Sequence, residues 1–163
     1  MKALTKQQLL HGTKFCILFI IAGLAISGVT AFPLESELKY FNSHLDWFPQ
    51  FLQPWLHTVY IGISQANLNY PYLSYGTDWL AFAHLMLAIL FIGPLIDPVK
   101  NVWVIQFGLL ACLFIIPLAF IAGSIRQIPL FWQLIDCSFG VVSSIPLGIA
   151  YFNVRKLERH QFN

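Results

Sequence analysis

Hydrophobic positions fall into four long runs separated by short polar stretches, and each run is apolar on every side rather than along one stripe. The most regular is DWLAFAHLMLAILFIGPLIDPVKN, between Asp78 and Asn101. A segment with no polar face has lipid or other helices around it. Spans are therefore expected at residues 15–32, 79–96, 102–123 and 130–152, giving an all-α fold: a polytopic membrane four-helix bundle forming a single transmembrane domain over residues 1–163. Pro117 and Pro146 fall inside the third and fourth spans, where a proline bends a helix and frees a carbonyl. Pro98 and Asn101 mark a tight turn between the second and third spans, so those two are expected to be antiparallel neighbours.

The first run, FCILFIIAGLAISGVTAF, follows a short basic head with Lys2, Lys6 and Lys14. Val29, Thr30 and Ala31 resemble a signal-peptide cleavage site, but the apolar core is longer than such peptides carry, so a retained first helix is expected. Its small residues, Ala22, Gly23, Ala25, Ser27 and Gly28, suit close helix packing.

Between the first two spans, residues 33–78 form the one substantial loop. Phe48, Phe51, Leu52, Trp55, Leu56, Val59, Tyr60 and Ile63 recur at three- and four-residue spacing, which predicts a short amphipathic helix, regular from about Pro54. Gln50, Gln53, His57 and Ser64 fall toward its other side. The helix lacks a basic face for anionic lipid, so a cap across the outer mouth of the bundle is expected. Tyr70, Tyr72 and Tyr75 supply an aromatic belt before the second span.

Composition agrees with the pattern. Hydrophobic residues make up 58% of the 163 residues and charged ones 10%, against about a quarter charged in a soluble domain. The net charge of +2 is spread over chain ends and a turn rather than along a stripe, which argues against nucleic acid as a partner. Cys16, Cys112 and Cys137 lie inside apolar runs without CxxC or CxxCH spacing, so they are read as small packing residues.

Charge does fix an expected orientation. Lys2, Lys6, Lys14, Lys100, Arg155, Lys156 and Arg159 fall on one side of a four-span chain, and Lys39 and Arg126 on the other. By the positive-inside rule both termini are cytoplasmic and residues 33–78 extracytoplasmic, in a plasma (inner) membrane.

With that orientation His84 lies six residues past Asp78, about 9 Å into the second span, and Asp136 lies six residues past Leu130 in the fourth. Two ionisable groups at one depth in an apolar setting point to function, because burying them there is costly. The expected catalytic pair is His84 with Asp136, the carboxylate orienting the imidazole. His57, Asp78, Arg126, Gln133 and Trp132 are the expected ligand-binding residues around an outward-facing pocket. A purely structural role for the pair, as a hydrogen bond fixing helix register, is the plainer alternative. Asp78 can equally cap a helix, and Arg126 can anchor at headgroups.

The expected function is binding of a small apolar or amphipathic ligand (a lipid, sterol or quinone), with acid–base chemistry on it left open. No metal site is expected, since the His and Asp residues come from separate elements without a ligating motif, and the residues designate no cofactor. The alternatives are an accessory subunit of a larger membrane complex, and a haem-binding or proton-coupled protein. Haem would require His57 or a second subunit beside His84, and a proton carrier of four spans would require a homodimer.

Overall fold

A computed structural model describes residues 5–159, and over these the regular structure is entirely helical, with no strand. The helices are α1 (Lys6–Ala31), α2 (Leu34–Asn42), α3 (Gln53–Asn69), α4 (Tyr75–Leu90), α5 (Ile92–Ile96), α6 (Val102–Ile125) and α7 (Leu130–Arg159). Single 3-10 turns lie at Leu45–Trp47 and Pro71–Leu73. Four segments are long and apolar enough to cross a membrane: Lys6–Ala31, Pro71–Ile96, Val102–Ile125 and Leu130–Arg159. The chain is an integral membrane protein by that criterion. It divides into two compact units, one of residues 1–22 with 88–163 and one of residues 23–87. Lys2, one of the residues used for orientation, lies outside the described residues.

In the first unit both outer helices run past their expected ends, for the same reason. α1 begins at Lys6 because Thr5 and Gln8 form a capping box: the Gln8 N–H donates to Thr5 Oγ1 at 3.3 Å and the Thr5 N–H to Gln8 Oε1 at 2.9 Å, satisfying two orphan donors. Leu9, Thr13, Cys16, Ile17 and Ile20 then form a buried stripe, so the polar head is held in the helix by packing. α7 likewise continues to Arg159 because Leu147, Ala150, Val154 and Leu157 form one buried line. Its 30 residues extend about 45 Å, more than the roughly 30 Å hydrocarbon core needs. Gly12 lies against Asn153, where a Cβ would stand 3.3 Å from the amide nitrogen.

The second expected span is interrupted. α4 ends at Leu90 and α5 starts at Ile92, because Pro94 has no N–H for the Leu90 carbonyl and its ring crowds that oxygen. Phe91, at the break, is 3% exposed and meets Gly108 of α6, where a Cβ would come within 2.8 Å of the ring. The following turn is closed by Asn101, whose amide donates to the carbonyls of Gly93 and Asp97 at 3.1 and 3.0 Å.

α6 and α7 are an antiparallel pair whose contact is set by glycines. A Cβ on Gly140 would lie 2.8 Å from the Cys112 carbonyl oxygen, and one on Gly123 would lie 2.8 Å from the Gln133 side chain. Such contacts let backbones approach as small residues do in membrane helices. The connecting turn is a Schellman motif: the Ile128 N–H donates to the Gly123 carbonyl at 2.9 Å and the Gln127 N–H to the Ser124 carbonyl at 3.2 Å. Gln127 occupies the left-handed position, φ 56°, where glycine is usual.

In the second unit, the end of α1 packs on α4 at Gly28, where a Cβ would stand 2.9 Å from the Ala81 carbonyl oxygen and Leu85 side chain. α2 is a helix the loop reading omitted; Leu34, Leu38 and Phe41 carry its period, and Glu35 and Glu37 suit its N-terminal turn. It packs on α3, and the His57 Nδ1–H donates to Asn42 Oδ1 at 2.8 Å between them. In α3, Leu56 is buried and Trp55, Val59, Tyr60 and Ile63 are half-buried, while His57 is exposed. Ser64 departs from the expected polar side: its hydroxyl oxygen is buried without a hydrogen-bond partner among the described residues.

Candidate functional site

Two clefts hold the polar residues of interest, one in each unit. The first lies between α6 and α7, beside the Schellman turn. It has a volume of about 300 Å³ and is lined by Ile115, Leu118, Ala119, Ala122 and Gly123 of α6, Arg126 at its C-cap, Ile128 of the turn and Asp136 of α7. The five α6 residues recur at three- and four-residue spacing, so they form one face of the helix, and Arg126 continues that spacing at its C-cap. Asp136 and Arg126, two of the seven residues singled out in the sequence, therefore share a groove.

Register between the helices sets the spacing of the two charges. Gln133 lies against Gly123, and Gly140 against Cys112 and Ile115, which puts Asp136 at the level of Ala119. Arg126 is seven residues beyond Ala119, about 10 Å along the helix at 1.5 Å per residue. Arg126 is thus at the rim, exposed, and Asp136 is half-buried below it. The described residues contain two ion pairs, Asp97 with Lys100 and Arg155 with Glu158. Arg126 and Asp136 belong to neither, and neither side chain has a hydrogen-bond partner among the described residues.

Gln133 lies beside the groove, against Gly123, whereas Trp132 is not among its lining residues. Gln133 is 5% exposed, and its amide donates to the Ile128 carbonyl at 2.7 Å, tying the turn to the first coil of α7. Trp132 is half-buried with its ring edge-on to Phe131.

The second cleft, about 240 Å³, lies where the end of α1, the start of α2, α3 and the start of α4 meet. Glu35, Ser36, Asn67, Ser74, Thr77 and Asp78 supply its polar lining. Here the polar groups satisfy one another. Asn67 Nδ2 donates to Glu35 Oε2 at 2.6 Å, and the Ser74 hydroxyl donates to Asn67 Oδ1. Asp78 is half-buried at the edge of this network.

His84, in α4 of the same unit, gives its Nδ1–H to the Leu80 carbonyl at 2.8 Å. That bond leaves Nε2 as the basic nitrogen of the neutral ring. His57 is committed to Asn42, as above. Asp136 and Arg126 thus come together in one unit, and Asp78, His57 and His84 occupy separate places in the other. Among the described residues no group of three or more His, Cys, Asp or Glu side chains is arranged to hold a metal ion.

The class defined by these features is a helical integral membrane protein with an apolar groove lined by two ionisable side chains, Asp136 and Arg126, that have no partner among the described residues. The chain matches no family model, no curated protein and no solved structure.

Proposed function

We propose that the protein binds a small amphipathic ligand of the membrane in the groove between α6 and α7. One observation carries this reading: Asp136 and Arg126 line the same apolar groove while neither neutralises the other. Ligand sites combine apolar walls with a few convergent polar groups, and about 300 Å³ is the small end of their size range. A buried or half-buried charge without a partner carries a desolvation cost that a ligand's polar head would offset. The concentration of Lys and Arg at the chain ends and at Lys100 supports cytoplasmic termini in a plasma membrane, with the groove opening on the opposite face.

Filling the groove tests the reading. Ala119→Phe places a ring between the helices at the level of Asp136. Protein extracted with its native lipids into nanodiscs and analysed by mass spectrometry is expected to carry a bound amphiphile, and the Ala119→Phe form is expected to lose it while remaining folded by circular dichroism. Equal retention by both forms would overturn the reading. A Soret band, or only a stoichiometric protein partner, would favour haem binding or an accessory-subunit role instead.

A further inference from the structure

The groove's two charges differ in depth and sign, and this narrows what fits. At the rim Arg126 offers N–H donors in a fork that matches phosphate or carboxylate. About 10 Å lower along the helix, the Asp136 carboxyl oxygens accept a hydrogen bond. Below and beside Asp136 the walls are Ile115, Leu118 and Ala119, in a groove of about 300 Å³. From the rim inward the order is therefore anion acceptor, hydroxyl acceptor, apolar slot.

Resting on the groove reading above, we infer that the occupant is a single-chain phospholipid with a free backbone hydroxyl, of the monoacyl glycerophosphate class. Its phosphate pairs with Arg126, its hydroxyl donates to Asp136, and its chain lies along Ile115 and Leu118. Other membrane amphiphiles satisfy one end only. A sterol has a single hydroxyl and no anion for Arg126. A quinone brings no anion for Arg126, and a fatty acid carboxylate satisfies Arg126 alone. A diacyl phospholipid has both remaining backbone hydroxyls esterified, so it offers Asp136 no backbone donor.

The test uses the full-length protein in phosphatidylcholine nanodiscs and three probes of equal chain length: a monoacyl glycerol-3-phosphate, a monoacylglycerol without phosphate, and an alkyl phosphate without the hydroxyl. The first is expected to bind about tenfold more tightly than either of the others, the scale of one charge-assisted hydrogen bond. Arg126→Gln is expected to bring it level with the monoacylglycerol, and Asp136→Ala to bring it level with the alkyl phosphate. Both substitutions remove side chains without partners among the described residues, and melting temperature checks that each variant is folded. If all three probes bind wild type alike and Ala119→Phe abolishes all of them, the lipid class is wrong and the groove reading survives. If Ala119→Phe leaves all binding unchanged, both fail.

Discussion

The two clefts contain similar side chains arranged to opposite ends. Where α2 and α3 meet the start of α4, Glu35, Asn67 and Ser74 bond one another in series, so the polar groups are answered from within the protein. In the α6–α7 groove, Arg126 and Asp136 are answered by nothing among the described residues. A completed network rigidifies a fold, whereas an incomplete one in apolar surroundings carries a cost that a ligand can remove. The difference separates a structural cleft from a candidate binding site more clearly than residue type does.

The largest effect should follow from forcing the groove's own walls apart. Gly140→Leu would drive a side chain into the Cys112 carbonyl, 2.8 Å from where its Cβ must stand, and is expected to destabilise by about 1–3 kcal/mol or more. Denaturant titration in detergent reads this directly. Next, Asn67→Ala would strand both the Glu35 carboxylate and the Ser74 hydroxyl, at about 1–3 kcal/mol in the same assay. Removing Arg126 should cost no such stability, and that contrast is the sharpest form of the comparison.

A smaller effect concerns His84, which the sequence pairs with Asp136. In a double-mutant cycle of His84→Ala and Asp136→Asn, read by ligand affinity, joint action gives a coupling of about 0.5–3 kcal/mol. Additivity would separate His84 from the groove's function. Smaller again, Gln127→Gly should relieve the left-handed backbone of the α6–α7 turn and stabilise by roughly 0.5–1 kcal/mol, visible as a raised melting temperature.

The smallest effect is a pH dependence in the turn after α5. The Lys100 backbone N–H donates to Asp97 at 3.1 Å, and that bond, with the Lys100 ammonium at 3.4 Å, holds the Asp97 carboxyl below its usual range. A carboxyl lowered on folding contributes its stability above its unfolded pKa and loses it as pH falls through the folded value. Melting curves from neutral pH down through the ordinary Asp range and below should therefore show a slight fall that Asp97→Asn abolishes. Because Asp97 is partly exposed and its Lys100 partner largely so, solvent screening keeps that fall small.

The four membrane-spanning segments were legible in the sequence because all-round hydrophobicity over some 20 residues is a strong signal. Their ends were less so. The Thr5–Gln8 capping box and the line from Leu147 to Leu157 were both there to be read, yet charged residues beside them outweighed the pattern. Pro94 carried the signal for the break at Phe91, and its apolar neighbours concealed it. α2 was hidden by its brevity, with one buried residue, Leu38.

For the site, sequence depth singled out Asp136, and charge counting set Arg126 on the same side. That they share a groove depends on Gly123, Gly140 and the Gln127 turn setting helix register, a three-dimensional fact that spacing along one chain does not encode. Gln133 adds a structural bond that spacing alone does not show: its amide donates to the Ile128 carbonyl.

Photo-crosslinking tests the central claim most directly. A monoacyl glycerophosphate carrying a diazirine in its chain is added to the full-length protein in nanodiscs, irradiated, and the adducts are mapped by peptide mass spectrometry. Labelling should concentrate on the groove face of α6, at Ile115, Leu118 and Ala119, and fall when Arg126 is replaced by Gln. Labelling spread evenly over the outward apolar residues of α1, α4, α6 and α7, unchanged in that variant, would contradict it.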